Sequence, residues 1–415
     1  MTPEVPEQPA VVLVDAFSTG ALLAHQAAGR CRLIHVRSRR ELPTTFAASL
    51  PAGLFEEDLT YPGNEQDVRR RLAEIGPVAV IPASEFGVET ADELASALGL
   101  RGNDPALSSA RRNKALMMEA LAAAGVRTPR QLETADADEV LEWRRVHGID
   151  RVVVKPLDSA GSEDVFTCDT DQEVKDAVGA VIGKTNLMLR ANEAVLGQEY
   201  LVGDEYIINS VSRDGTHRFT DVWISRKAVV DESRKIYDYE DLLAPDDPRL
   251  DEILPYVSDV LAALGIANGP AHTELILTPD GPVLLETGAR ISGLANPAAL
   301  QQCTGADQVS LTLDCYTADA PELSRRPVRY ARLESARCAN LIAHRAVPLA
   351  EQAVREVLEG LPAFQSVRFR KADGALTSRT VDLNSSPGAV FLVHRDDAEI
   401  ERSYQALRAM EHELL

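Results

Sequence analysis

Residues 269–290, GPAHTELILTPDGPVLLETGAR, decide how this chain folds. Two apolar runs flank Pro279-Asp280-Gly281, a turn signal that reads as a β-hairpin. Folded about Asp280, the positions pair by summing to 560, which sets Glu274 directly across from Glu286 and His272 across from Gly288. Opposed side chains on one sheet face have Cβ atoms about 4.5–5.5 Å apart, and like charges there are destabilising. Two ionised carboxylates held that close want a shared proton or a divalent cation between them. Oxygen ligands without cysteine suit Mg2+ or Mn2+. The plainer alternative is an exposed hairpin with two solvated glutamates. Arg290, just beyond the pair, is suited to neutralise a phosphoryl group or to hold a carboxylate with two hydrogen bonds; a surface salt bridge is its plainer role.

Upstream, VVVKPLDSAGS places Lys155 at the end of an apolar strand, before a small-residue loop. A lysine there offers a point charge to phosphate oxygens, while Ser159, Gly161 and Ser162 can close backbone N–H groups over them. The lysine precedes the glycine loop, so this is not a P-loop. In QEYLVGDE, Gln198, Glu199, Tyr200 and Leu201 can frame a purine edge, with Tyr200 and Leu201 as apolar walls. Glu205 can accept from ribose hydroxyls. Alone, this octamer reads as an ordinary strand and turn. Residues 223–248 are charged and poor in periodicity, which predicts a mobile loop over a site.

The rest of the chain frames these motifs. VVLVD, CRLIHVRS and VAVIPAS are apolar strands alternating with helical stretches, a parallel βαβ pattern over the first hundred residues. The first turn, DAFSTG, is not GxGxxG. Ser84 and Glu85 follow the third strand and are either contacts to an incoming amine or a helix cap. SSARRNKALMMEALAAAG predicts a helix capped by Ser108 and ended at Gly125. From about Val328 onward, strands and helices alternate as an α+β unit.

At 415 residues the chain is too long for one hydrophobic core. Its net charge of −21 argues against nucleic-acid and anionic-membrane partners, and its local basic clusters, Arg111 and Arg112 among them, read as solvated helix faces. Five scattered cysteines without metal-ligand spacing indicate a reducing compartment, and the eight histidines form no zinc motif. With no apolar stretch of transmembrane length and an acidic, Pro-rich start, the expected location is the cytoplasm.

In order along the chain, these residues resemble the ATP-grasp superfamily, and within it the L-amino-acid ligases that make dipeptides. The resemblance spans nearly the whole chain and is carried by PASEFGVETADELASALGLRGN, ARRNKALM, the hairpin with its ETGAR ending, and SSPGAVFLVHRDDAEIERSYQALRAME. It implies an α/β and α+β multidomain ATP-grasp fold with an N-terminal Rossmann-like (pre-ATP-grasp) domain. The implied parts are 1–107, the pre-ATP-grasp domain; 108–200, linker helix and small lid; 201–327, the central catalytic part; and 328–415, which completes it. It also implies ATP-binding lysines at Lys114 and Lys155, a glycine-rich loop at SAGS, an adenine hinge at QEYL, a ribose carboxylate at Glu205, and metal carboxylates at Glu274 and Glu286. Lys155 and Arg290 would serve the transferring phosphoryl group, with Mg2+ or Mn2+ carrying the phosphates of ATP.

The implied reaction turns one amino-acid carboxylate into an acyl phosphate, which the amine of a second then attacks. That chemistry needs no protein nucleophile, in keeping with the absence of a GxSxG elbow. A homodimer is a further implication of the family. One departure stands out: the family's ExNxR reads Glu286-Thr287-Gly288-Ala289-Arg290 here, without the third metal ligand. Water, substrate or His272 fills that gap, or a second cation binds more weakly; His272 is otherwise a hydrogen-bonded strand residue. Alternatives are a ligase adding an amino acid to a peptide or specialised metabolite, and an ATP-binding regulator with impaired catalysis.

Overall fold

The first strand, β1 (Ala10–Val14), is buried at every position because parallel neighbours flank it and helices cover both faces. Val11 and Leu13 enter one core and Val12 and Val14 the other, as alternation along a strand requires. With β2 (Arg32–Arg37), β3 (Glu57–Thr60) and β4 (Ala79–Pro82) it forms an all-parallel sheet of order β3-β2-β1-β4. This is the Rossmann-like unit expected from the βαβ pattern. Ser84 and Glu85 leave the carboxyl end of β4, the edge where open α/β sheets carry their sites. The computed structural model describes residues 8–42, 44–159, 161, 163–231, 234–316 and 320–415.

A second sheet is antiparallel: β5 (Gln131–Thr134), β6 (Val152–Pro156), β7 (Phe166–Cys168) and β8 (Val195–Glu199), in the order β5-β8-β6-β7. Val152, Val154 and Val195 pack against the helices Ala137–His147 and Asp171–Val181. Alternation therefore turns Val153 and Lys155 to the opposite face, and Gln198 joins them there through its pairing with Val153.

The third sheet has eight strands: β9 (Asp204–Arg213), β10 (Thr216–Asp231), β11 (Arg234–Leu242), β12 (Gly269–Thr278), β13 (Gly281–Gly288), β14 (Ser335–Asn340), β15 (Phe364–Phe369) and β16 (Gly388–His394). Their order is β13-β12-β9-β10-β11-β14-β16-β15, so the C-terminal strands extend the sheet that carries the glutamate hairpin. Helix Leu250–Ala263 covers part of it through Ile253, Leu254, Val257 and Leu261. Among the described residues no helix is long and apolar enough to cross a membrane.

Three expectations are corrected. Residues 223–248 are not a loop: β10 and β11 pair over most of this length, and β11 also pairs with β14 on its other side. Their polarity misled because the charges are partnered inside the protein, Asp238 by Arg408 and Tyr404, Asp241 by Arg337. Ser108 does not cap the helix Lys114–Ala123; Asn113 does, its Oδ1 accepting from the N–H groups of Ala115 (2.8 Å) and Leu116 (3.2 Å), while Ser108 Oγ donates to Asp92 Oδ2. Arg111 and Arg112 are no solvated face either. Both are buried, Arg111 against Asp92 at 2.6 Å and Arg112 between Glu85 and Asp158, each at 2.8 Å.

Candidate active site

The hairpin meets its expectation through an irregularity. His272 pairs with Gly288, Thr273 with Thr287 and Glu274 with Glu286, as the sum of 560 requires. Closer to the turn the sum falls to 559: Leu275 pairs with Leu284 and Thr278 with Gly281, leaving a two-residue loop at Pro279-Asp280. A β-bulge at Leu285 absorbs the difference. The turn is one residue tighter than the sequence suggested, and the bulge returns Glu286 to the face of Glu274.

Two lysines from different elements face this pair. Lys114 opens its helix, and its Nζ lies 2.6 Å from Glu286 Oε2 and donates to the carbonyl of Ser159 at 3.2 Å. Burial alone would raise the Glu286 pKa; Lys114, backed by Lys155 and Arg290, overrides that and holds the carboxyl well below its usual range. Lys155 Nζ donates to Gln198 Oε1 at 3.0 Å. Its burial and the neighbouring Lys114 push its pKa down to about 8, against the pull of Glu286 and Glu274. The site thus interleaves cations and anions around Glu286, while Glu274 has, among the described residues, only His272 Nε2 at hydrogen-bond distance, 3.2 Å away.

Glu85 extends the alternation from the N-terminal unit. Its Oε1 accepts from Arg112 Nη1 at 2.8 Å and its Oε2 from Arg290 Nε at 2.7 Å. These two guanidiniums outweigh burial and hold the Glu85 carboxyl below its ordinary pKa. Gly288 makes room for it: a Cβ there would stand 2.7 Å from Glu85 Oε2. Ser84, next to it, is buried with an Oγ that has no partner among the described residues, and it makes no side-chain cap bond.

The residues expected at the nucleotide, Gln198 to Leu201 and Glu205, include buried polar atoms that lack partners among the described residues. Gln198 Nε2 and Glu205 Oε1 are unpaired among the described residues, although both side chains are buried. The N–H groups of Glu199 and Tyr200 bond the carbonyls of Arg130 and Arg151, and Glu199 Oε1 accepts from Arg130 N at 2.9 Å. Leu201 N–H has no partner among the described residues. Glu205 is held at 2.7 Å by Lys227, and burial still raises its pKa. Orphaned buried donors and acceptors of this kind are the polar complement an ATP base and ribose require.

Gly161 takes a left-handed φ of +68°, and a Cβ there would lie 3.4 Å from Asn384 Oδ1. Ser162 lies outside the described residues. Ser159 Oγ donates to Glu163.

The donor set also fits a divalent cation. Among the described residues no group of three or more His, Cys, Asp or Glu side chains is gathered closely enough to hold one alone. Two facing carboxylates are nevertheless what a phosphate-bound Mg2+ takes from a protein, the remaining ligands being phosphate and water. Sequence reasoning missed Arg112, Asp158, Asn209, Asp221 and Glu240. Arg112 had a signal in its place two residues before Lys114 in ARRNKALM; Asn209, Asp221 and Glu240 are fixed only by pairing across the sheet, and Asp158, in the loop after β6, only by Arg112 and Arg190.

A Rossmann-like unit, a small antiparallel sheet bearing one lysine and a large sheet bearing a carboxylate hairpin define an ATP-dependent carboxylate–amine ligase of the ATP-grasp class. Comparison with known proteins agrees: residues 111–294 match the ATP-grasp domain family. The chain is 32% identical over 408 residues to dapdiamide A synthase of Enterobacter agglomerans, spanning 97% of this chain and 95% of that one. The chain belongs to the ATP-grasp family. Among solved structures it resembles an L-amino acid ligase from Bacillus licheniformis, with a TM-score of 0.71 and 20% identity over 98% of both chains. It also resembles a carboxyaminoimidazole ribonucleotide synthase from Aspergillus clavatus in complex with ATP, with a TM-score of 0.72 and 14% identity over 98% of this chain and 99% of that one. At these identities the likeness is one of fold.

Proposed function

We propose that this enzyme joins the carboxylate of one amino acid to the amine of a second amino acid or related amine, with ADP and phosphate released. The acid's carboxylate oxygen takes the γ-phosphoryl group of ATP, giving an acyl phosphate. The amine nitrogen then attacks the acyl carbon, the C–N bond forms, and phosphate departs with the C–O bond's electrons. Lys114 and Lys155 neutralise the phosphates, and Arg290 steadies the charge that builds on the transferring group. Gln198, Glu199, Tyr200 and Leu201 frame the base, Glu205 the ribose, and Ser159 and Gly161 the phosphates, with Ser162 in the same loop. Glu274 and Glu286 would hold Mg2+ or Mn2+, which supplies further positive charge to the phosphates. Glu85, with the unpartnered Ser84 hydroxyl, receives a substrate ammonium, and Gly288 clears the space for it.

The observation that carries this reading is the convergence of Lys114 and Lys155, from separate elements, on the Glu274–Glu286 pair. A regulator that only binds ATP would not need the Arg112–Glu85–Arg290 chain beside it. Five unpaired cysteines support a cytoplasmic setting. The test is incubation with ATP, Mg2+ and pools of amino acids, with phosphate release and product mass measured. ADP formation that depends on amino acids, with a condensed product, is expected; AMP as the product contradicts the acyl-phosphate route.

A further inference from the structure

The orientation of His272 can be read from a buried relay behind it. Trp223 Nε1–H, which can only donate, points at Asp221 Oδ1, so that oxygen is an acceptor. Asn209 faces the same oxygen at 2.5 Å and must therefore present its NH2 group. Thr220 Oγ1 donates to the other carboxylate oxygen at 2.8 Å. The carbonyl end of Asn209 is then the end turned to His272 Nδ1, 2.8 Å away, so Nδ1 carries the hydrogen. All four relay residues, Trp223, Asp221, Asn209 and His272, are buried, and the pairing of β12 with β9 sets His272 opposite Asn209.

With Nδ1 protonated, the neutral ring presents a bare lone pair at Nε2. That lone pair lies 3.2 Å from Glu274 Oε1, itself an acceptor. Two acceptors at this separation repel unless a cation or a proton joins them. A divalent cation with bonds of about 2.1 Å sets adjacent ligands about 3 Å apart. The observed separation is that of two neighbouring ligands on one ion. The fixed tautomer is also the arrangement by which an outer partner orients a metal-binding imidazole.

We infer that His272 Nε2 is a nitrogen ligand of the divalent cation held by Glu274, and that Asn209 and Asp221 are positioning residues that keep its lone pair turned into the site. This rests on the assignment of Glu274 and Glu286 as the metal carboxylates. A nitrogen donor among oxygens tilts the site from Mg2+ toward Mn2+.

The experiment is pulsed electron paramagnetic resonance on the full chain with Mn2+ and ADP, prepared with ordinary and with ring-15N histidine. Wild type is expected to show modulation from a directly bound nitrogen that changes on histidine labelling. His272→Gln should lose it, bind Mn2+ about tenfold or more weakly, and narrow the preference for Mn2+ over Mg2+. Asn209→Leu should weaken the modulation and the affinity while circular dichroism stays native. Bound Mn2+ without histidine modulation in wild type overturns the proposal; an imidazolium–carboxylate pair would give that result. Full modulation and affinity in folded Asn209→Leu overturns the positioning role, and if that variant does not fold, Trp223→Phe, which removes the donor that fixes Asp221, takes its place. The underlying reading fails separately, if Mn2+ binding is unchanged in Glu274→Gln.

Discussion

Glu85 Oε2 stands 2.7 Å from the point a Cβ on Gly288 would occupy, so two residues about two hundred positions apart share one volume. Glycine at 288 is therefore a steric condition for a carboxylate contributed by the N-terminal unit. Gly288→Ala should push Glu85 off Arg290 and lower kcat/KM about a hundredfold, which is about 2.7 kcal/mol of lost transition-state stabilisation. ATP affinity should stay within about twofold, since the hinge and ribose groups are untouched. In Glu85→Ala the added methyl should cost little more, because the clash partner is gone. Fully additive losses in the double variant would refute the shared-volume argument. Steady-state ADP release and calorimetry with ATP supply both numbers.

That relationship also marks where sequence reading stops. The parallel unit, the lysine strand and the carboxylate hairpin were legible because each is encoded by local periodicity and a turn. Gly288 was visible as a missing side chain, but its reason was not, since Glu85 reaches it only through the packing of separate sheets. Residues 223–248 were misread for a related reason. Half-buried, paired charge on β11 looks like solvated charge until its partners, Arg337 and Arg408, are brought beside Asp241 and Asp238.

Lys114 and Glu286 form a largely buried pair 2.6 Å apart, and removing one partner of such a pair leaves an uncompensated charge. Lys114→Met should destabilise the nucleotide-free enzyme by about 3–5 kcal/mol. Added Mn2+ replaces the lost positive charge on Glu286, so it should raise the Tm of Lys114→Met more than that of wild type. Equal Tm shifts in scanning calorimetry would show that the cation does not reach Glu286.

Glu240 on β11 is fully buried with Oε2 unpartnered among the described residues, and burial, followed by the Glu205 carboxylate, pushes its pKa up to about 8. Its folded pKa exceeds the ordinary value, so between about pH 4.5 and 8 the native state keeps a proton that the unfolded chain releases. Stability from this group is complete below that window and is lost as pH rises through 8, an effect on the order of a few kcal/mol. Glu240→Gln should lack this slope and be the more stable form at pH 9. Urea unfolding of both proteins at pH 5, 7 and 9 decides it: parallel curves would mean that Glu240 does not titrate in this range.

The bulge at Leu285 separates the spacing of the turn from the spacing of the carboxylate pair. Deleting Leu285 removes the extra residue, so Glu286 follows Leu284 directly and, with Leu284 still opposite Leu275, stays opposite Glu274 in an unbroken register. Far-UV circular dichroism should stay close to native, because the deletion removes no pairing partner from β12. Mn2+ binding and amide formation should both persist in the deletion variant, since the face that Glu286 shares with Glu274 is set by their cross-strand pairing. Loss of Mn2+ affinity in this folded variant would mean that the bulge itself, through the local twist it adds, is what aims Glu286 at the cation.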